Sequence, residues 1–573
     1  MASSKHPSQE HPPTPGPEST PTNTVPAEVD ATRKQVLMYA VGNIESGIAN
    51  NFFAILNVVS VVALGMSPML MGLIISIKTL WEGITDPIMA QITDNARTRW
   101  GRRIPFILTG GVTRVLFLLV VFLAFPRDSS IKPNSAYQEE KAAREAVTAV
   151  KPPTQAESAP ATKDGESAKN EAQPAAPAPH PPPPGLLASI KAGFNALTTT
   201  ENPYHRTVFY YLLFASMMFA LLGTLQSVPY YALGIELCPS YDGRTRVVTY
   251  RSVVDKLMNL VVPWILPFCF LPIFTTVLDG LVWYAVFVCV IGIPTTVAMC
   301  VMIKERNLPG PNSRRKGPSL FKSIWLTARN IHFLKILGLY LMIGFTNGIS
   351  AQFDIFIVIY YIFKGDVLGG TVMNGYAATF ATCLAIGSLP LVNWACRRFS
   401  KHATLRAAII WMSLGAIMKW FLYDPRFPWL ILVLPFFFAI GISSVYTILP
   451  SLMADVTDLD ELQNGTRREG MFGAVMAFLN KALSSFQPVL SAAVLLFSGF
   501  LAHAGGDQTP ETLFRMRLMA SWIPGGLLML ALVFLWRYPV TRERMEEVKA
   551  KLRVNRAARA QTEACENPAH GNA

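Results

Sequence analysis

The stretch Met69-Leu-Met-Gly-Leu-Ile-Ile-Ser-Ile-Lys-Thr-Leu-Trp81-Glu82-Gly83-Ile84-Thr85-Asp86-Pro87-Ile-Met-Ala-Gln-Ile92 decides how the chain reads. It is long and apolar enough to cross a bilayer as a helix, which takes about 20 residues. It nevertheless holds two acids. An ionised side chain inside a membrane costs about 2.5–3.5 kcal/mol on insertion scales, so each is a functional candidate. Glu82 and Asp86 are four apart and share one helix face. Two like charges there repel, so one is protonated or a cation sits between them. Thr85 adds a hydroxyl oxygen beside them. The set suits a Na⁺ or H⁺ site. The plain alternative is that both acids pair with basic residues for structure, or that Asp86 caps the following loop.

The rest of the chain agrees with a membrane reading. Of 573 residues 51% are hydrophobic and only 15% charged, with mean hydropathy +0.33; a soluble chain carries about 25% charged residues. Polar material concentrates in 1–34, 127–205 and 540–573. The remainder fits a dozen transmembrane helices, excluding a soluble multidomain enzyme, a secreted disulfide protein and a fibrous one. Continuous rather than alternating apolar runs argue against a β-barrel. The seven cysteines form no CxxC pair and read as packing residues. No nucleophile–base pair, metal cluster or phosphate cradle stands out, so neither an enzyme nor a cofactor other than a coupling ion is expected. The net charge of +13 reads as basic loops, not as nucleic-acid binding.

The expected spans are 36–64, 69–92, 104–125, 207–234, 248–273, 279–303, 333–362, 371–395, 404–423, 427–454, 470–502 and 516–537. Basic residues cluster in every second loop: Arg97, Arg99, Arg102 and Arg103; Arg244 and Arg246; Arg397, Arg398, Lys401 and Arg406; Arg467 and Arg468. The bias places both termini and the 304–332 link in the cytoplasm of a plasma-membrane protein. The organisation is then a disordered tail (1–34), a six-helix half (35–303), the link (304–332), a second half (333–537) and a tail (538–573). Residues 127–205, rich in Ala, Pro, Lys and Glu, read as a largely disordered external insert. Leu186 to Leu197 could form a surface helix. Pro229 followed by Asp242-Gly-Arg-Thr-Arg246 is echoed by Pro450 followed by Asn464-Gly-Thr-Arg-Arg468, which suggests two parallel repeats.

Other polar residues inside spans are candidates by the same cost argument. Lys481, within Ala477-Phe-Leu-Asn-Lys481, needs an acidic partner, for which Glu82 or Asp86 is the expected choice, or snorkels to the surface. Arg251 and Asp255 open span 5 and either pair with each other or leave Arg251 facing a cavity. Glu45, Asn50, Asn51 and Asn57 make span 1 unusually polar, as Asn347, Gln352 and Asp354 do span 7. Tyr230, Tyr231 and Tyr446 lie near the proposed site, where rings can stack on a substrate.

Trp81-Glu-Gly-Ile-Thr-Asp-Pro-Ile-Met-Ala90, running to Arg97-Thr-Arg-Trp-Gly-Arg-Arg-Ile-Pro105, resembles the glycoside-pentoside-hexuronide:cation symporters. These are the melibiose-permease-like branch of the major facilitator superfamily. Two further segments agree. Val228-Pro-Tyr-Tyr-Ala-Leu-Gly-Ile-Glu236 leads to Tyr241-Asp-Gly-Arg-Thr-Arg246, and Ala454-Asp-Val-Thr-Asp-Leu-Asp-Glu461 to Gly465-Thr-Arg-Arg-Glu-Gly-Met-Phe472. The resemblance implies an all-α membrane protein, twelve helices in two six-helix bundles, alternating access, and a cation symported with a sugar or glycoside by a monomer. It puts the cation site on Glu82, Thr85, Asp86 and Thr224, with Lys481 beside it. It puts the substrate on Arg251, Tyr231, Tyr446, Ser227 and Asn50, with Lys481 within reach. Departures matter: Ser227 and Gly47 stand where the permease has its two sugar-gripping aspartates, which makes an α-galactoside doubtful.

In this reading cation binding neutralises the acid pair, releases Lys481 and orders the cavity. Asp94, Arg99 and Arg102 in one half, and Asp455, Asp458, Arg467 and Arg468 in the other, act as conformational latches. The alternatives are a transporter of a lysolipid or organic anion, and a transporter-like sensor.

Overall fold

A computed structural model describes residues 30–128, 131–150, 203–238, 240–303, 305, 330–464, 469–535 and 544–555. Among the described residues, twelve long helical segments run in order. They are α1 (Arg33–Val62), α2 (Pro68–Asn95), α3 (Ile104–Leu123), α4 (Pro203–Leu237), α5 (Tyr241–Val261, continued to Cys269) and α6 (Val277–Met302), then α7 (Ile331–Ile362), α8 (Val367–Phe399), α9 (Lys401–Leu422), α10 (Leu434–Asn464), α11 (Glu469–Phe497) and α12 (Pro510–Ala531). Ten are long and apolar enough to cross a membrane. The other two, α2 and α11, match them in length but carry Lys78, Glu82, Asp86 and Lys481 in their middles.

Span 1, read as one helix, is broken twice: at Gly42, and again at Asn50–Asn51. Proline explains most other irregularities. Pro263 and Pro267 interrupt the end of α5, and Pro87, Pro229, Pro450 and Pro488 lie inside α2, α4, α10 and α11. Each removes one helical hydrogen bond and favours a kink.

Helix α1 begins and α12 ends at one face of the bundle, the terminal face; the helix Asn134–Val150, after α3, lies at the opposite, insert face. The apolar core differs between the two. Toward the insert face one buried cluster runs through both halves, joining Phe52 and Phe270 to Phe353 and Phe500. Toward the terminal face each half keeps its own cluster, around Tyr39 and Leu233 in one and around Phe333 and Phe472 in the other. The halves are thus packed together on the insert face and apart on the terminal face. At the seam Gly72 of α2 approaches α11 so closely that a Cβ would lie 2.8 Å from the Pro488 carbonyl oxygen. Across from it, Trp264 of α5 donates to the Thr379 hydroxyl of α8 at 3.0 Å.

One part of the insert, expected to be largely disordered, is helical. Residues Asn134–Val150 form a helix lying on the insert face. Its contacts sort onto the two halves. The Asn134 amide donates to the carbonyls of Cys269 (3.1 Å) and Leu271 (3.0 Å), and Tyr137 packs edge-on against Phe270. In the other half, Lys141 pairs with Asp366 at 2.8 Å, and Arg144 reaches the Lys364 carbonyl and Asp507. Backbone capping by one half and ion pairs to the other make it a strap across the seam. The helix expected over Leu186–Leu197 lies outside the described residues.

Candidate functional site

The face of α2 that carries Lys78, Glu82 and Asp86 at helical spacing meets α11 just inside the closed seam. Lys481 of α11 places its ammonium 2.8 Å from Asp86 and 3.3 Å from Glu82. Lys78, one turn before Glu82, pairs with it at 2.6 Å and lies over the Phe53 ring. Two ammoniums thus balance two carboxylates, so neither acid is an unpaired charge in this arrangement. Both acids and Lys481 are half-buried, with Lys481 the most exposed at 38%, so the cluster lines a space open to solvent.

The oxygen ligands expected beside the acids are present. The Thr224 hydroxyl of α4 donates to Asp86 at 2.9 Å and lies 3.3 Å from the Thr85 hydroxyl. Thr85 itself bonds back to the Trp81 carbonyl at 3.1 Å, which fixes its oxygen on the α4 side of the helix. Glu82, Thr85, Asp86, Thr224 and Lys481 therefore converge from three helices. Lys78 was missed as a site residue, although its i, i+4 spacing to Glu82 is plain in the sequence.

Behind this cluster lies a second ion pair. Glu45 of α1 and Arg114 of α3 are fully buried and meet at 2.8 Å. Ser46 links them to Gln226 of α4 with a 2.7 Å bond. Glu45 thus faces a neighbouring helix. Arg114 was overlooked, though any arginine inside a span carries the same signal. In the other half Asp354 accepts from buried Lys419 at 2.5 Å and from the Tyr423 hydroxyl at 2.9 Å, so it too serves packing between helices.

The proposed substrate residues are more dispersed. The Arg251 guanidinium lies 5.0 Å over the Tyr231 ring. Asp255 instead accepts from the Asn43 amide, so of the two readings of span 5 the ion pair with Arg251 is the one not formed here. Tyr39 and Tyr230 stack beside this group with centroids 4.4 Å apart and exchange hydrogen bonds with each other's backbone. Ser227 is half-buried one turn from Thr224. Tyr446 is 59% exposed on α10, in the opposite half from Tyr231. Asn50 is exposed at the break in α1.

The residues expected as latches make ion pairs within each half. Arg102 pairs with Glu236 at 2.6 Å, and Arg103 bridges Asp94 (3.2 Å) and Glu236 (2.8 Å). Asp455 pairs with Lys401 at 2.7 Å and with Lys549 at 3.8 Å. Asp458 is half-buried further along the same helix. Arg99 does not join the cluster; its guanidinium stacks on Trp100 instead, because Gly101 turns the chain between them and Arg102. Arg467 and Arg468 lie outside the described residues.

Two packed helical halves, a charge cluster on the seam between them and ion-pair clusters at one face define a membrane transporter rather than an enzyme. Residues 38–135 and 183–542 match the family described as MFS/sugar transport protein, and the chain belongs to that family. Relatives point the same way. An uncharacterized symporter of Synechocystis sp. is 24% identical over 90% of this chain and 96% of its own length. A glucuronide carrier protein homolog of Escherichia coli is 26% identical over 29% of this chain and 36% of its own. A sodium-dependent lysophosphatidylcholine symporter of Danio rerio is 23% identical over 48% and 51%. Among solved structures, a bacterial homolog of the human lysosomal transporter Spinster, inward-facing and occupied, covers 89% of this chain and 96% of its own. At 11% identity and a TM-score of 0.52 it shows the shared major facilitator fold.

Proposed function

We propose that this transporter is a symporter that couples Na⁺ or H⁺ entry to uptake of a sugar or glycoside by alternating access. The observation that carries the reading is Lys481 sitting on Glu82 and Asp86 across the two halves. Its ammonium occupies the place a coupling cation would take. With Lys481 in place the acids are neutralised and the halves are tied. A cation bound by Glu82, Thr85, Asp86 and Thr224 displaces that ammonium and loosens the tie. Loading of the site and movement of the halves then become one equilibrium.

The packing supports assignment of this conformation as inward-open, with the terminal face cytoplasmic. Arg97, Arg99, Arg102, Arg103 and Lys401 all lie there, which agrees with the basic bias of cytoplasmic loops. Both termini are then cytoplasmic, and the membrane is the plasma membrane. A ring-stacked Arg251, with a neutral Ser227 one turn before that ring on α4, suits a glycoside that bears a carboxylate better than a neutral galactoside. A relative named a glucuronide carrier homolog supports that choice. The second reading, a lysolipid substrate, draws on the relative named a lysophosphatidylcholine symporter.

The deciding experiment offers labelled hexoses, disaccharides, hexuronides and lysophosphatidylcholine to purified protein in liposomes, under an inward Na⁺ or H⁺ gradient. Gradient-driven uptake of a sugar or hexuronide that disappears in Asp86→Asn is expected. Uptake that ignores the gradient and survives Asp86→Asn overturns the coupling, and uptake of lysolipid alone overturns the substrate.

A further inference from the structure

The loop between α2 and α3 is a built turn. Gly101 adopts φ +110°, and a Cβ there would strike the Glu305 carboxylate. The Thr98 hydroxyl accepts from the Trp100 N–H at 3.3 Å and donates to the Gly101 carbonyl at 2.5 Å. Glu305, just beyond α6, accepts the Arg103 N–H at 2.8 Å and that of Ile104 at 3.5 Å. The base of the turn is thereby fixed to two helices. At its crest Arg99 lies 5.1 Å over the ring of Trp100, which is 59% exposed. Arg99, expected among the latch residues, stacks on Trp100 instead of joining them, and the transport reading has no part for Trp100.

Beneath that crest is a cavity of about 520 Å³, whose lining runs from Arg99 and Trp100 along Leu108 of α3 to Cys300, Val297 and Val301 of α6. Its chemistry is graded. The end at the face of the bundle holds a guanidinium on an indole, and the end toward the middle of the helices is aliphatic. Val301 is 74% exposed, so the aliphatic wall opens sideways, toward the space acyl chains occupy. An exposed tryptophan at the end of a membrane helix sits at headgroup depth. The acid in the lining, Glu305, is already engaged by two backbone N–H groups.

The geometry points to a binding site for an anionic phospholipid of the leaflet on the terminal face. Its phosphate lies on the Arg99 guanidinium, whose planar fork suits phosphate oxygens. Its acyl chain follows Leu108, Val297 and Val301. Arg97 in the same loop adds positive charge, which favours a net-negative headgroup over a zwitterionic one. The occupant braces the loop that also presents Arg102 and Arg103 to Glu236.

The test uses the full-length chain, stripped of lipid in detergent and titrated with palmitoyl-oleoyl phosphatidylglycerol or phosphatidylcholine. Bound lipids are counted by native mass spectrometry. Wild type is expected to retain one phosphatidylglycerol more tightly than phosphatidylcholine. Arg99→Ala and Trp100→Ala should each weaken that molecule about fivefold, the size of one basic residue's attraction to an anionic lipid. Arg398→Ala, an exposed arginine on the same face of the other half, serves as control and leaves it bound. Unchanged retention in both variants, or equal retention of the two lipids by wild type, overturns the site and leaves Trp100 an interface anchor only. Both residues are exposed, and an unchanged unfolding temperature without added lipid separates lost binding from lost fold.

Discussion

Lys481 of α11 and Asp86 of α2 lie 2.8 Å apart, an ion pair spanning the two halves of the transporter. The pair is partly open to solvent, so its direct contribution to stability is small, about 1 kcal/mol or less. Its weight lies in which conformation it favours. Lys481→Ala leaves two carboxylates facing one lysine. Cation binding to the purified variant, followed by calorimetry, should persist or tighten, while gradient-driven uptake falls at least tenfold. Uptake at the wild-type rate would show that the ammonium has no part in coupling.

Glu45 and Arg114 behave differently because both are fully buried. Removing one partner of such a pair strands a charge and costs about 3–5 kcal/mol. Arg114→Met should lower the thermal midpoint sharply. Combining it with Glu45→Gln should recover much of the loss, since an apolar or neutral replacement of both partners is often tolerated. Equal midpoints for the single and double variants would contradict this.

The strap helix Asn134–Val150 bridges the halves through Lys141–Asp366 and through Arg144 to Asp507. Each pair is partly exposed and contributes about 0–1 kcal/mol. Two together shift an equilibrium between conformations by up to about thirtyfold. The double variant Lys141→Glu, Arg144→Glu should enlarge the population with the insert face open. Distances between spin labels at the exposed positions Ile273 and Lys364 report this, and high salt should mimic it in the wild type.

Gly72 sets the close approach of α2 to the Pro488 backbone. Small residues let membrane helices approach closely, and a larger one forces them apart. Gly72→Val should therefore disfavour the closed insert face. The same spin-label pair should show the separated distance, and net uptake should slow because one half of the cycle is penalised. An unchanged distance distribution would mean that the seam yields elsewhere.

Much of the site was legible before any coordinates. Buried charge is costly in a membrane, so Glu82, Asp86 and Lys481 stand out wherever they fall in an apolar run. The helical repeat then puts the two acids on one face. The same rule marks Arg114 and Lys419, which went unremarked because their partners lie on other helices. Arg99 is the opposite case: its loop reads as one basic patch, yet the turn at Gly101 separates it from Arg102 and Arg103. Composition marks the insert as largely disordered and does not single out Asn134–Val150, whose helix finds its contacts by docking on both halves.

The sequence by itself determined that this is a polytopic α-helical membrane protein, because its apolar runs are continuous, unlike a barrel's alternating strands, and long enough to span a bilayer as helices. It also determined which ionisable residues lie within the spans. Tertiary structure alone decided who meets whom. Lys481 and Glu82 are brought together by the packing of α11 on α2, Glu45 and Arg114 by the packing of α1 on α3. Such contacts depend on the rotation and tilt of whole helices. Those are set by many small contacts such as Gly72 on Pro488, and no local pattern in the chain encodes them.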